Sequence, residues 1–565
     1  MTRYTLAPAV PKEVAEALPG HSPLIQQLLY NRGIRTASEA DTFLELEYEA
    51  GQHDPFSLHQ MRPAVQRILA AIDQEEQVAI YSDYDCDGIP GGVVLHDFFH
   101  AVGFATFQNY IPHRHYEGFG LNVAAVEKLA ETGTTLIITI DCGTSDLEAV
   151  ARATELGVDV IITDHHEPGA ELPEALAVIN PKVGDTYPFP HLCGAGVVFK
   201  LVQALIAAGE FDLKPGWEKW WLDMVGMATI ADMVPLIGEN RIFAKFGLDV
   251  LRKSRRPGLQ QLLRKARAEQ RYLTEDDVGF TIGPRINAAS RMDTPEDAFR
   301  LLSMTDTVAA GAHVEHLERL NNERKGLVAA MSRKLHQQLA SHAELPNVLV
   351  FGNPEWRPAL VGLVAGKLAE QYKRPAFVWG RDGNGTIKGS CRSDGTVSVV
   401  ELMQAAPDAF TEFGGHHFSG GFSVKDDQIH TLGQALNEVW QTRGDQAMVE
   451  EERQIDAVIT LDDIGPALVR ELDRLAPFGV GNEKPLFRIE AVAPDRVEVF
   501  GKTKEHTKLV FRNRQSQIEA IAFFKKPEEY QVVPEVGQEL SLLAHLEESF
   551  FMGRRQLRLR IVDIV

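Results

Sequence analysis

The sequence predicts an α/β protein: a parallel-sheet domain joined by a long helix to a second α/β domain, with a strand-rich β-barrel at the C-terminal end. Short β-branched apolar runs alternate with helix-length segments through the first half, which indicates a parallel sheet covered on both faces. One long polar–apolar helical stretch follows, and closely spaced alternating strands fill the last part. At 565 residues the chain should hold three or four domains. We divide it into a helical segment (1–60), a first α/β domain (61–305), a connecting helix (306–345), a second α/β domain (346–445) and the barrel (446–565).

The first domain carries the chemistry. Gln77-Val-Ala-Ile-Tyr-Ser82 runs into Asp83-Tyr-Asp85-Cys-Asp87-Gly88, Leu136–Ile140 into Asp141-Cys-Gly143, and Val158–Thr163 into Asp164-His165-His166. Helix-length segments at about 91–102, 122–132 and 145–156 separate these strands. In such sheets ligands bind beyond the carboxyl ends of the strands, near the switch point. Three carboxylates in one hexapeptide are costly unless a hard cation neutralises them. A calcium loop of the EF-hand type needs Glu at its twelfth position, where this chain has Val94. One Asp after a strand is ordinarily a helix N-cap; three of them with paired histidines indicate a metal site.

These motifs resemble the first three of the DHH phosphoesterases, and Gly226-Met-Ala-Thr-Ile-Ala-Asp232-Met-Val-Pro235 resembles the fourth. Leu192-Cys-Gly-Ala-Gly196, Gly283-Pro-Arg-Ile-Asn-Ala-Ala289, Gly389-Ser-Cys-Arg-Ser393 and Phe413-Gly-Gly-His416, in order, narrow the resemblance to the RecJ family of single-strand-specific exonucleases. The resemblance implies a DHH catalytic domain, a DHH-associated substrate-binding domain and a C-terminal OB-fold. It further implies a 5′→3′ exonuclease on single-stranded DNA, releasing 5′-mononucleotides with two Mn²⁺ or Mg²⁺ ions, in DNA repair and recombination. The chain departs from the family at Pro90, where threonine is usual, at Ser290, where glycine is usual, and at His417-Phe-Ser-Gly-Gly421.

Asp85, Asp87, Asp141, His165 and Asp232 are the leading candidate metal ligands, with Asp83 and Asp164 next. Oxygen-rich sites with an imidazole suit Mn²⁺ or Mg²⁺ better than zinc or copper. The family pattern gives His166 to the phosphoryl group, and Arg114, Ser390 and Arg392 to a 5′-terminal phosphate. Arg285, Asn287, Arg291 and His416 complete the expected substrate contacts. Each arginine alone could instead belong to a structural ion pair.

A net charge of −22 does not by itself suggest a nucleic-acid partner, but phosphate contacts need only a local basic surface. Residues 252–271 hold eight basic residues and one acidic, and Arg554, Arg555, Arg558 and Arg560 lie near the end. Phenylalanines at 511, 523, 524, 550 and 551 stand among lysines and arginines, the mixture an OB-fold uses to stack bases. Val308, His313, Leu317, Leu320, Leu327, Met331 and Leu335 mark the apolar stripe of the connecting helix, and 444–453 reads as an acidic linker. The first residues lack a signal-peptide core, and no apolar run reaches membrane-span length. Four scattered cysteines, three of them in or beside the metal motifs, fit a reducing cytoplasm. The expected partners are single-stranded DNA with a 5′ end, a single-strand-binding protein and a helicase, and the expected state is a monomer. Two alternatives stand beside this reading: a DHH phosphodiesterase on short oligonucleotides or cyclic dinucleotides, and a catalytically inactive nucleic-acid-binding replication factor.

Overall fold

Every residue of the runs Val78–Ser82 and Leu136–Ile140 is buried, the pattern of strands covered on both faces. In the computed structural model, which describes residues 3–340, 344–442, 452–501, 504–513, 517–551 and 554–565, they are the central strands of a five-stranded parallel sheet. Its order is Phe107–Tyr110, Val78–Ser82, Leu136–Ile140, Asp159–Thr163, Ala177–Ile179. Val78 and Ile80 face helices Met61–Asp73, Gly88–Ala101 and Gly194–Ala208, whereas Ala79 and Tyr81 face helices Val123–Glu131 and Leu147–Glu155. Each fully buried aliphatic side chain there contributes about 1.5–3 kcal/mol. The chain leaves Val78–Ser82 to form one neighbouring strand and returns across it to form the other. The switch point, and with it the ligand crevice, falls at Asp83. The two outer strands, of four and three residues, were too short to show in the sequence pattern.

The helix Thr307–Ala340 spans 34 residues, about 51 Å at ~1.5 Å per residue. It packs on Pro257–Ala266 and Gly283–Met292 of the first domain and on Pro358–Tyr372 of the second. Its buried face uses Val314, Leu317, Leu320, Val328, Met331, Leu335 and Leu339. Val308, expected in that stripe, is 86% exposed. It lies on the outward side of the first turn, whose buried residue is Ala310. The second domain is a mixed sheet in the order Glu412–Gly415, Ser419–Val424, Ile387–Arg392, Ala376–Arg381, Leu349–Gly352.

The C-terminal module is a seven-stranded mixed sheet around one core. Residues 1–60 are not purely helical: Arg3–Leu6 is a strand paired in parallel with Glu452–Ile455. The N-terminal helices also contribute Leu18, Ile25, Leu28 and Leu29 to the C-terminal core. The division near 445, most of the acidic linker 444–453, and the side chains of Phe550, Phe551, Arg554 and Arg555 lie outside the described residues. Phe511 is core, whereas Phe523 is partly exposed beneath Arg560, 4.3 Å from the ring centre.

The basic stretch 252–271 is partly internal. Arg256 is held between Asp97 (2.7 Å) and Asp223 (2.8 Å), and Lys265 pairs with Glu315 at 2.7 Å. Arg256 is therefore scaffold, whereas the Lys265 pair lies on the surface.

Candidate metal centre

Four chain segments place acidic and imidazole groups on one rim. Asp83, Asp85 and Asp87 follow Val78–Ser82, Asp141 follows Leu136–Ile140, and His165 and His166 follow Asp159–Thr163; Asp232 caps the C-terminus of helix Leu222–Ala231. Three sets of donors each come within 4.8 Å: Asp83, Asp85 and Asp141; Asp87, His165 and Asp232; and Asp141, His165 and His166. Asp141 and His165 each belong to two sets, so the sets form one continuous cluster. His165 Nε2 lies 3.1 Å from Asp141, 3.6 Å from Asp87 and 3.6 Å from Asp232.

The electrostatics call for a cation. Burial, then repulsion from Asp87, Asp85 and Asp83, pushes the Asp141 carboxyl well above the usual range. Burial and Asp85 raise Asp87 to about 7, although the backbone N–H groups of Gly194 (2.6 Å) and Ala195 (2.8 Å) donate to it. Burial followed by neighbouring carboxylates raises Asp83 and Asp232 as well. One oxygen each of Asp83 and Asp141 is buried without a hydrogen-bond partner, the orphan acceptors a metal would satisfy. Burial and the adjacent His166 lower His165 to about 3, which leaves a neutral imidazole with a lone pair to offer.

Asp164 corrects the sequence reading. Its carboxylate accepts from the backbone N–H groups of His165 (2.7 Å) and Thr144 (3.0 Å) and from His166 Nδ1 (2.8 Å). Burial alone would raise its pKa, but the His166 bond and charge, with Thr144, hold it well below the usual range. It is a positioning residue for His166 and belongs to none of the three donor sets. Burial likewise opposes charge on His166, yet Asp164, Asp83 and Asp87 outweigh it and raise that ring's pKa.

Backbone geometry supports the cluster. Asp141 holds φ 61, a left-handed conformation that Asp tolerates better than most residues. A Cβ on Gly194 would come within 2.6 Å of Asp141 Cβ, so only glycine lets this helix N-terminus reach Asp87 beside Asp141. Sequence reasoning used the Leu192–Gly196 segment for family resemblance and missed this role. Cys193 as N-cap of helix Gly194–Ala208 was the available signal.

A cleft of about 580 Å³ separates the first domain from the second, lined by Tyr84, Arg114, Phe119, Lys388, Ser390 and Phe413 among others. Arg114 lies over the Tyr84 ring at 4.6 Å. Burial, then Arg114 and Arg324, lowers Arg291 to about 9; burial lowers Arg392, with Arg114 adding to the shift. No carboxylate pairs with Arg114, Arg291 or Arg392 among the described residues. Arg291 donates to the Ala359 carbonyl (3.0 Å), and Arg392 to that of Cys391 (2.8 Å). Gly362, on helix Pro358–Tyr372, leaves room for both Ser390 and Arg392, and the start of that helix lines the cleft. Of these arginines only Arg114 lines the cleft, with Lys388, Ser390 and the start of that helix, and Asp382 and Glu412 line it too; the cationic and hydrogen-bonding groups suit an anion.

The remaining expected contacts differ. Arg285 bonds Glu318 at 2.7 Å and the Thr281 carbonyl at 2.8 Å, so its guanidinium ties Gly283–Met292 to the connecting helix. Asn287 accepts from the Cys86 N–H (2.9 Å) and orders the acidic loop. His416 is exposed on the hairpin between Glu412–Gly415 and Ser419–Val424, on the side of Glu167 of the first domain. Pro90 sits in the first turn of Gly88–Ala101, where its missing N–H costs little, and Ser290 is fully buried.

Comparison with known proteins gives three family matches. The DHH family N-terminal domain matches residues 77–229, the DHHA1 domain 345–442 and the RecJ OB domain 455–563. The single-stranded-DNA-specific exonuclease RecJ of Bacillus subtilis (strain 168) is 36% identical over 549 residues, covering 96% of this chain and 68% of its own. The crystal structure of RecJ in complex with Mn²⁺ from Thermus thermophilus superposes with a TM-score of 0.82 at 29% identity, covering 100% of this chain and 79% of that one. The Mg²⁺ complex from the same organism gives a TM-score of 0.76 at 28% identity, covering 100% and 78%. The motifs, the three domains and these likenesses agree: the chain belongs to the RecJ family.

Proposed function

We propose that this protein is a single-strand-specific 5′→3′ exodeoxyribonuclease that hydrolyses phosphodiester bonds to 5′-mononucleotides with two divalent cations, in DNA repair and recombination. The observation that carries the reading is a buried carboxylate–imidazole cluster with orphan oxygens, set beside a cleft lined by Arg114, which has no carboxylate partner among the described residues. Asp83, Asp85 and Asp141 would hold one ion, and Asp87, His165 and Asp232 the other, with Asp141 between them. The donors are oxygen and neutral imidazole, which suits Mn²⁺ or Mg²⁺. When bound, such ions supply an activated water and neutralise charge on the phosphodiester and its leaving oxygen. His166, fixed through Nδ1 by Asp164, presents the rest of its ring to the phosphoryl group. Arg114, Arg392 and Ser390, with Arg291 beside them, receive the 5′-phosphate and fix which bond lies over the cluster. The same reading has a monomer acting in a reducing cytoplasm on strands opened by a helicase and coated by a single-strand-binding protein. Among the described residues no helix is long and apolar enough to cross a membrane.

Digesting strands labelled at either end, with and without a duplex block, tests the reading. Mononucleotide release from the 5′ end of unpaired DNA alone, in Mn²⁺ or Mg²⁺, is the expected result; release from the 3′ end or from duplex ends contradicts it.

Two further outcomes follow. Alanine at Gly194 would push on Asp141 and displace the N–H groups holding Asp87; Mn²⁺ affinity in a calorimetric titration should fall roughly 10-fold or more, the usual effect of disturbing ligand support. Asp87 is raised from 3.8 to about 7, so the folded metal-free protein holds protons that the unfolded chain has released. The melting temperature of metal-free Asp87→Asn relative to wild type should therefore rise as pH goes from about 4 to about 7, a difference in which the opposite contribution of His165 cancels, and wild-type Mn²⁺ affinity should rise over the same range. A difference that shrinks across this range would contradict the assignment.

A further inference from the structure

Away from the rim, a second group of metal-ligating side chains sits where three helices meet. Asp293 caps the C-terminus of helix Gly283–Met292, and Asp297 lies in the first turn of helix Glu296–Ser303. His313 and His316 stand one turn apart on the connecting helix. Donor atoms of Asp293, Asp297 and His316 all come within 4.8 Å of one another. His316 Nε2 lies 3.0 Å from Asp297 Oδ2 and 3.7 Å from Asp293 Oδ2, and His313 Nδ1 lies 3.9 Å from the other oxygen of Asp297. Zinc holds imidazole nitrogen and carboxylate oxygen at ~2.0–2.2 Å in a tetrahedron, which sets its ligand atoms about 3.4 Å apart. The two His316 spacings bracket that value.

Ordinary causes explain only part of the group. The helix dipole favours an acidic side chain in a first turn, which accounts for Asp297 alone. An ion pair accounts for Asp297 with His316, but not for Asp293 and His313 turned toward the same two side chains. The side chains of Asp297, His316 and His313 are 15%, 25% and 28% exposed, so three of the four are held against protein. The position also gives the group a task. Just before Asp293, the Arg291 carbonyl lies 3.1 Å from His115 Nε2, and the Met292 carbonyl accepts from Arg357 at 3.5 Å. Arg291 in turn donates to the Ala359 carbonyl. The end of this helix is therefore the joint between the first domain, the connecting helix and the second domain.

We propose that Asp293, Asp297, His316 and His313 hold a structural zinc ion that pins this joint. The donor set is half imidazole and half carboxylate, and it binds zinc ahead of Mn²⁺ in the usual order of divalent affinities. One contact changes on binding. Arg319 lies 2.6 Å from His316 Nδ1, and a guanidinium only donates, so the proton of the neutral ring sits on Nε2. Zinc takes the Nε2 lone pair, the ring proton moves to Nδ1, and the exposed Arg319 turns away. The site lies outside the rim, and the inference does not depend on the exonuclease reading.

Metal-stripped full-length protein in Zn²⁺ tests the proposal. The rim's carboxylates and imidazoles bind zinc as well, so the measurement is a difference between wild type and His313→Ala/His316→Ala. Wild type should bind one more zinc per chain in equilibrium dialysis, and anomalous diffraction at the zinc edge should place that ion between Asp297 and His316. Zinc should slow amide hydrogen exchange in helices Gly283–Met292 and Glu296–Ser303 of wild type, but not of the double variant. Arg319→Gln supplies an acceptor for the Nδ1 proton, the usual support of a metal-bound histidine, and zinc should bind this site roughly 10-fold more tightly. Equal zinc content in wild type and double variant, or unchanged or weaker binding in Arg319→Gln, would overturn the site. Zinc bound there without any slowing of exchange would overturn its task at the joint.

Discussion

Asp141→Asn should abolish Mn²⁺-dependent nucleotide release, by about 10³-fold or more (~4 kcal/mol of barrier), while single-strand binding persists. Asp141 belongs to two of the three donor sets and keeps one orphan buried oxygen, so its charge is central to the cluster. Asparagine keeps the side-chain shape and tolerates φ 61, which alanine does less well. The same substitution should raise the melting temperature of the metal-free protein, because burial and repulsion by Asp87, Asp85 and Asp83 already penalise the carboxylate. Loss of activity with a gain in apo stability separates missing chemistry from misfolding. Mutant and wild type releasing nucleotide alike would remove the exonuclease reading.

Replacing Arg114 and Arg392 together by alanine should cut the preference for 5′-phosphorylated over 5′-hydroxyl strands about 100-fold, since each charge-assisted hydrogen bond is worth ~1.5–3 kcal/mol. Neither arginine has a carboxylate partner among the described residues, and Arg392 and Arg291 are both pushed down by burial and then by their neighbours' positive charge. Removing them therefore breaks no ion pair, and folding stability should change little. Kinetics on matched strands with either terminus measure the ratio; an unaltered preference would place the phosphate elsewhere.

The sequence was most legible where local pattern and chemistry coincide. The buried strands and the carboxylates behind them could be read because a strand's C-terminal end is also where a parallel sheet gathers ligands. Long-range pairing was not legible. No local pattern distinguishes Arg392, left without a counter-ion, from Arg285, neutralised by Glu318, since that partner lies 33 positions away. Asp164 looked like another ligand because its context matches Asp141, and only the donors converging on it reveal the different role. The helix N-terminus at Gly194 acts on a carboxylate 107 positions earlier.

The central claim is that this rim holds two cations with Asp141 between them. Anomalous diffraction from crystals of the full chain grown with Mn²⁺ tests it most directly. The expected map has two peaks, one among Asp83, Asp85 and Asp141 and one among Asp87, His165 and Asp232. A single peak, or peaks away from Asp141, would contradict it.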